Sequence, residues 1–150
     1  MINVAVDDRA ILAALRQLQN HTANLRPALK EIGETLKESA QQRFANTTGP
    51  DGATWAANSE VTLKRKASRS GITLTDGGTL GETINSKVVG NDTVMIYSPM
   101  PYAAMMQFGG TQAEFPHLWG DIPARPFLGI SPNDESEILS MLRSYLESAL

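Results

Sequence analysis

The chain has 150 residues, no cysteine, two histidines, and 13 basic against 16 acidic side chains, for a net charge of −3. A length near the commonest domain size, roughly 100 to 150 residues, supplies one core without metal or disulfide, and the lack of cysteine excludes a thiol nucleophile, Cys-ligated zinc or iron–sulfur sites and any disulfide framework. The slight acidity argues against a surface that embraces nucleic acid as a whole, because duplex binding relies on clustered Lys and Arg releasing counterions from phosphates.

The amino terminus, Met1 to Asp8, has neither a basic leader nor an apolar stretch, so no secretory signal is expected, and no window reaches the roughly 18 unbroken apolar residues of a membrane helix. The expectation is a chain folded in the cytoplasm. Alternation of Ile2, Val4 and Val6 predicts a short strand. Asp7 and Asp8 then cap a helix that carries Ile11, Leu12, Leu15 and Leu18 at spacings of three and four. His21 follows the carboxyl end of that helix, where the dipole favours a cation. A second helix is marked by Leu25, Leu29, Ile32, Leu36, Ala40 and Phe44, with Pro27 in its first turn and a polar face of Lys30, Glu31, Glu34, Lys37, Glu38 and Gln41.

From Asn46 to Gly81 the pattern gives way to turn residues, interrupted by Trp55, a helical turn starting near Ser59, and the pair Ile72 and Leu74. A connection so far beyond the usual 12 to 15 residues is read as functional or mobile. It holds Lys64, Arg65, Lys66 and Arg69, a cationic run in an otherwise acidic protein. That run is either a solvated loop or a patch for an acidic partner, with protein favoured over nucleic acid because no aromatic residue is interleaved for base stacking.

Ile84, Ser86, Val88 and then Val94, Ile96, Ser98 alternate about Gly90-Asn91-Asp92, which predicts a β-hairpin. Tyr102 to Phe108 reads as a short helix or turn, and Gly109-Gly110 opens a second irregular stretch containing Pro116, Gly120, Pro123 and Pro126. A last helix begins with Asp134 and Glu135 at the positive end of its dipole and carries Ile138, Leu139, Leu142, Tyr145 and Leu146 on one face. The whole, residues 1–150, is read as one α+β domain. Its antiparallel sheet is built on the hairpin and packed by the long amphipathic helix and the C-terminal helix, with two long loops.

The usual nucleophile-elbow, zinc-helix and phosphate-loop spacings are absent, and Gly77-Gly78-Thr79-Leu80-Gly81 lacks the lysine that a phosphate loop needs. Glu114, His117 and Asp121 share metal-ligating chemistry but lie on a Pro-rich loop without a rigid scaffold to orient them. No catalytic, cofactor-binding or metal-ligating residue is therefore assigned, and the chain is expected not to be an enzyme. Large apolar side chains gather instead in the loops: Trp55, Tyr102, Phe108, Phe115, Trp119 and Phe127, with Met100, Met105 and Met106. Such adaptable groups at loop positions point to a protein interface.

Several motifs occur in a recognisable order. Phe44 is followed by Gly49-Pro50-Asp51-Gly52-Ala53-Thr54-Trp55, then Leu74-Thr75-Asp76-Gly77-Gly78-Thr79-Leu80, Tyr102-Ala103, Gln107-Phe108-Gly109-Gly110 and Ile122-Pro123-Ala124-Arg125-Pro126-Phe127-Leu128-Gly129, before a closing acidic helix. Over residues 25–148 this resembles the virion morphogenesis (tail completion) family of Mu-like and P2-like tailed phages. The chain departs from the family pattern at Met105, where a histidine is frequent, and at Gly77-Gly78, where a single glycine is usual.

The resemblance implies a structural protein that completes or terminates the phage tail and joins it to the neck, as a homo-oligomeric ring, six-fold by family, with no catalytic activity and no cofactor. Its implied partners are copies of itself, the tail tube protein and the neck or head-completion protein, with genome DNA passing through the lumen unbound and no membrane involved. Its implied place is the tail–neck junction of the virion, after assembly in the host cytoplasm. Interface candidates are Trp55, Lys64, Arg65, Lys66, Arg69, Phe108, Phe115, Trp119, Arg125 and Phe127. Arg125 has two readings, a donor fork for a neighbour's carboxylate or an internal salt bridge that fixes its loop. A ring needs two unlike faces per subunit, here the cationic run and the acids Asp134, Glu135 and Glu137. The alternative function is a small accessory nucleic-acid-binding protein using loop 64–69; a hydrolase using His117 ranks behind it.

Overall fold

The structure, a computed structural model, describes residues 3–57, 79–116 and 120–150. Helix α1 spans Arg9–Gln19 and buries Ile11 and Leu18, while Leu12 stays exposed. Asp8 stands at the N-cap position without a side-chain capping bond, and Asp7 instead meets the Arg9 guanidinium at 3.0 Å in open solvent. The expected strand before it does not form: residues 3–8 are irregular, and Val6 is 42% exposed. Two alternating valines have no ladder partner there, and a lone strand is not stable in water.

Helix α2, Arg26–Asn46, follows the predicted stripe. Pro27 falls in its first turn, where an absent N–H costs nothing, and Thr47 ends it in the left-handed region at φ 54°. The 21 residues of α2 extend over about 31 Å. After the short α3 (Thr79–Glu82), strands β1 (Asn85–Val89) and β2 (Thr93–Tyr97) pair antiparallel, in a register from Asn85 opposite Tyr97 to Val89 opposite Thr93. Among the described residues this hairpin is the whole sheet. Helix α4 is Ala103–Phe108, and α5 is Pro132–Ala149. A reciprocal capping box starts α5: Ser131 Oγ accepts from the Asp134 N–H and Asp134 Oδ2 accepts from the Ser131 N–H, each at 3.0 Å.

Two buried clusters are threaded on α2. The first joins Ile11 and Leu18 of α1 to Ala28, Leu29 and Ile32 of α2 and to Ile138 and Leu142 of α5. The second gathers Ala40, Phe44, Trp55, Leu80, Ile84 and Phe127. The hairpin lies against α2 at Gly33, where a Cβ would sit 3.0 Å from Val94 Cγ2 and 3.1 Å from Ser86 Oγ. Only a residue without a side chain allows helix and hairpin to approach this closely.

Candidate functional site

Residues Arg125–Gly129 cross the carboxyl half of α2 without belonging to any helix or strand, and they are here termed the strap. Buried backbone of this kind must find hydrogen-bond partners outside a ladder, and side chains supply nearly all of them. Gln107, buried at the end of α4, accepts on Oε1 from the N–H groups of Phe127 and Leu128 and donates from Nε2 to the Leu128 carbonyl, all at 3.0 Å. Trp55 Nε1 donates to the Pro126 carbonyl at 2.7 Å, and Arg43 Nη1 donates to the Phe127 carbonyl at 2.8 Å and the Gly129 carbonyl at 3.3 Å. Phe127 itself is fully buried, its ring centroid 5.4 Å from that of Phe44, which also meets Trp55 edge-on at 5.4 Å.

The turn before Trp55 explains why that ring points inward. Thr47 leaves α2 in the left-handed region, Gly49 and Ala53 close a tight loop through a 2.9 Å backbone bond, and the Trp55 N–H returns to the Thr47 carbonyl at 2.8 Å. Beyond it, the carbonyls of Ala56 and Ala57 accept from Arg125 Nε and Nη2 at 2.8 and 2.9 Å. Burial lowers the pKa of the Arg125 guanidinium from its ordinary value, yet an arginine stays charged in proteins, so its role is that of a cationic donor to carbonyls.

Arg43 is the hub. Its Nη2 reaches Asp134 Oδ2 at 2.7 Å and Ser39 Oγ at 3.3 Å, while Ser39 donates to Asp134 Oδ1 at 2.6 Å. Burial pushes the Arg43 pKa down, and the charge and hydrogen bond of Asp134 pull it back. One network therefore ties α2, the strap and the cap of α5 together.

The strap carries an exposed loop. α4 stops at Gly109, whose φ of +69° is left-handed and whose Cβ, were there one, would lie 2.6 Å from Ala124 N and Ile122 O. Gly110 and Ile122 then exchange backbone bonds of 2.9 and 2.7 Å, closing the loop between them. Phe108 is 50% and Phe115 37% exposed, on a cleft of about 620 Å³ that also includes Glu114, Asp121, Ile122 and Pro123. Glu114 Oε1 accepts from Thr111 Oγ1, and Asp121 Oδ1 accepts from the Gln112 N–H, both at 2.9 Å. Apolar faces rimmed by carboxylates therefore stand exposed beside a braced loop.

Several sequence expectations are corrected here. Trp55, Arg125 and Phe127, read as interface anchors, are core groups, because the turn and the strap fold them inward. Among the described residues Arg125 makes no salt bridge; it donates to the carbonyls of Ala56 and Ala57. Asp134, offered as part of an acidic face, is buried against Arg43. Phe108 and Phe115, also interface candidates, are exposed. Lys64, Arg65, Lys66, Arg69, His117 and Trp119 lie outside the described residues; Glu114 and Asp121, read with His117 as a weak metal cluster, spend an oxygen each on their own loop.

Arg43 and Gln107 escaped the sequence reading. Arg43 sits three residues after Ala40 on the apolar stripe of α2, and a cation on that stripe was the available signal. Gln107 is marked only as the first residue of the Gln107-Phe108-Gly109-Gly110 motif, which says nothing of a buried amide between Met106 and Phe108.

The phage virion morphogenesis family matches residues 6–147 of the chain. Over 153 residues the chain is 35% identical to the protein named "Putative capsid assembly protein G" of Escherichia phage Mu, covering 99% of this chain and 96% of that one. It is 30% identical over 148 residues to the Mu-like prophage FluMu G protein 2 of Haemophilus influenzae, covering 98% and 97%. No solved structure matches the chain significantly.

Proposed function

The chain belongs to the phage virion morphogenesis family, and from that premise we propose that it completes the phage tail and joins it to the neck, as a ring of identical subunits without catalytic activity. Its general role in phage structure and assembly comes with the family. The finer reading rests on the motif order across residues 25–148 and on one structural observation, the exposed Phe108 at the end of α4 and Phe115 on the loop that follows, next to a buried clasp. A rigidly supported aromatic surface is suited to holding a neighbour, because little side-chain freedom is lost on docking. Its neighbours are further copies, the tail tube protein and the neck protein, with the genome passing through the lumen.

The name of the phage Mu relative favours a second reading, a part in building the capsid. The two separate on what accumulates when the gene is inactivated and lysates are viewed by electron microscopy. Tail completion predicts filled heads beside separate, unjoined tails. Malformed or missing heads together with normal tails would overturn it in favour of the capsid reading.

A further inference from the structure

A second surface lies at the other end of α2. Arg26 and Lys30, one helical turn apart, and Lys87 on β1 line a groove of about 300 Å³ between helix and hairpin, together with Gly33, Glu34 and Ser86. Arg26 is held in place by donating Nη1 to the Gly90 carbonyl, and the Lys87 ammonium stands 5.3 Å from the Tyr97 ring centroid. The lining carries three cations against the single carboxylate of Glu34, which accepts from Ser86 Oγ at 3.4 Å. Among the described residues the ion pairs are Arg9 with Asp7 and Arg43 with Asp134, so none of the three cations has a carboxylate partner there.

The aromatic cleft has the opposite character. Its lining includes Glu114 and Asp121 and no Lys or Arg, and one oxygen of each carboxylate has no hydrogen-bond partner among the described residues. Groove and cleft share no lining residue. The groove flanks Arg26 to Glu34, the cleft hangs from the strap anchored at Arg43, and the helix between Lys30 and Arg43 spans about 20 Å at 1.5 Å per residue.

We propose that the cationic groove of one copy receives the acidic aromatic loop of the next, with Lys30 and Lys87 facing Glu114 and Asp121. This rests on the ring reading above and supplies what such a ring requires, two unlike and mutually complementary faces on each subunit. Charge pairing fixes the register and steers the encounter, and Phe108 and Phe115 supply apolar area beside it. A phosphodiester is the weaker occupant of the groove, because Glu34 stands inside it.

The test reverses one face at a time, in cells producing a phage whose own copy of the gene is inactivated. Lys30→Glu with Lys87→Glu, and separately Glu114→Lys with Asp121→Lys, are each expected to lower virion titre about a hundredfold, since like charges then face each other across the interface. A single chain carrying all four substitutions restores the titre, because its groove and loop are complementary again.

Wild-type titre from either single-face variant, or no recovery from the folded four-substitution chain, overturns the proposal. So does loss of salt-dependent duplex DNA binding in the groove variant without recovery, which assigns the groove to phosphate. Circular dichroism establishes folding, and where a double variant does not fold, Lys87→Glu and Asp121→Lys with their combination provide the same test. The copy number of wild-type chain per virion separates the two levels. A single copy overturns the ring and this contact together, whereas several copies without charge-swap recovery overturn this contact alone.

Discussion

Arg43 and Asp134 stand 91 residues apart in the chain and 2.7 Å apart in the fold, with side chains only 6% and 3% exposed. Their contact joins the middle of the molecule to the cap of its last helix. Removing one partner strands a buried charge, so Asp134→Ala or Arg43→Met is expected to cost about 3 to 5 kcal/mol. In a double-mutant cycle followed by urea unfolding, the pair should show a coupling of about 1 to 3 kcal/mol. Additive effects would mean that the contact carries no energy of its own.

Gln107→Leu keeps the volume of the side chain and deletes all three of its bonds to the strap. Each buried backbone group left unpaired costs about 1 to 3 kcal/mol, and a total loss of about 3 kcal/mol is expected after local relaxation. Hydrogen exchange provides the specific check. The amides of Phe127 and Leu128 should lose protection while those of α1 and α5 retain it; uniform loss would contradict a local clasp.

At Gly109 both the backbone sign and the space exclude a side chain. Gly109→Ala should destabilise the fold by about 1 to 3 kcal/mol and displace the loop it introduces. A melting temperature equal to that of the wild type would contradict the close approach to Ala124 and Ile122.

Phe108 is half exposed, so Phe108→Ser should change stability by less than about 1 kcal/mol. If its face holds a neighbouring subunit or tail component, virion titre should fall while the melting curve of the purified protein stays in place. Unchanged titre would remove this ring from the contact surface.

Alkaline pH tests α5. Burial first, and then the hydrogen bond and charge of Glu31, raise the Tyr145 phenol above its ordinary pKa. The folded state therefore keeps its proton to higher pH than the unfolded chain does. The resulting stability is fully present below the ordinary phenol value, about pH 10, and is lost as pH rises through the folded value. Tyr145→Phe should flatten that alkaline decline, measured by denaturant midpoints across the range; an unaltered slope would assign it to other groups.

How much of this was legible beforehand depended on where each element finds its partners. α1, α2 and α5 advertise themselves because one stripe of Leu and Ile at helical spacing is all that each needs to bury. The hairpin was readable for the same reason, with period two and a turn of Gly90-Asn91-Asp92. Val4 and Val6 show the limit of that logic, since alternation without a neighbouring strand does not make a strand. The strap is harder still. Its backbone is satisfied by Arg43, Trp55 and Gln107 from three different parts of the chain, and no local window contains that information. Trp55, Arg125 and Phe127 stand out in the sequence by their surroundings, but whether they face outward or inward depends on a turn and a network that only the fold displays.

The strap also has an evolutionary consequence. In a β-ladder the backbone binds backbone, so most residues can be exchanged without losing the route of the chain. Here the route is specified by side chains, and drift at Arg43, Trp55, Gln107 or Arg125 would redirect the peptide itself. Positions on the exposed loop carry no such duty. Related chains are thus expected to diversify rapidly in the exposed loop while the four residues that hold the strap remain the same, so that the loop's surface can change without changing the fold.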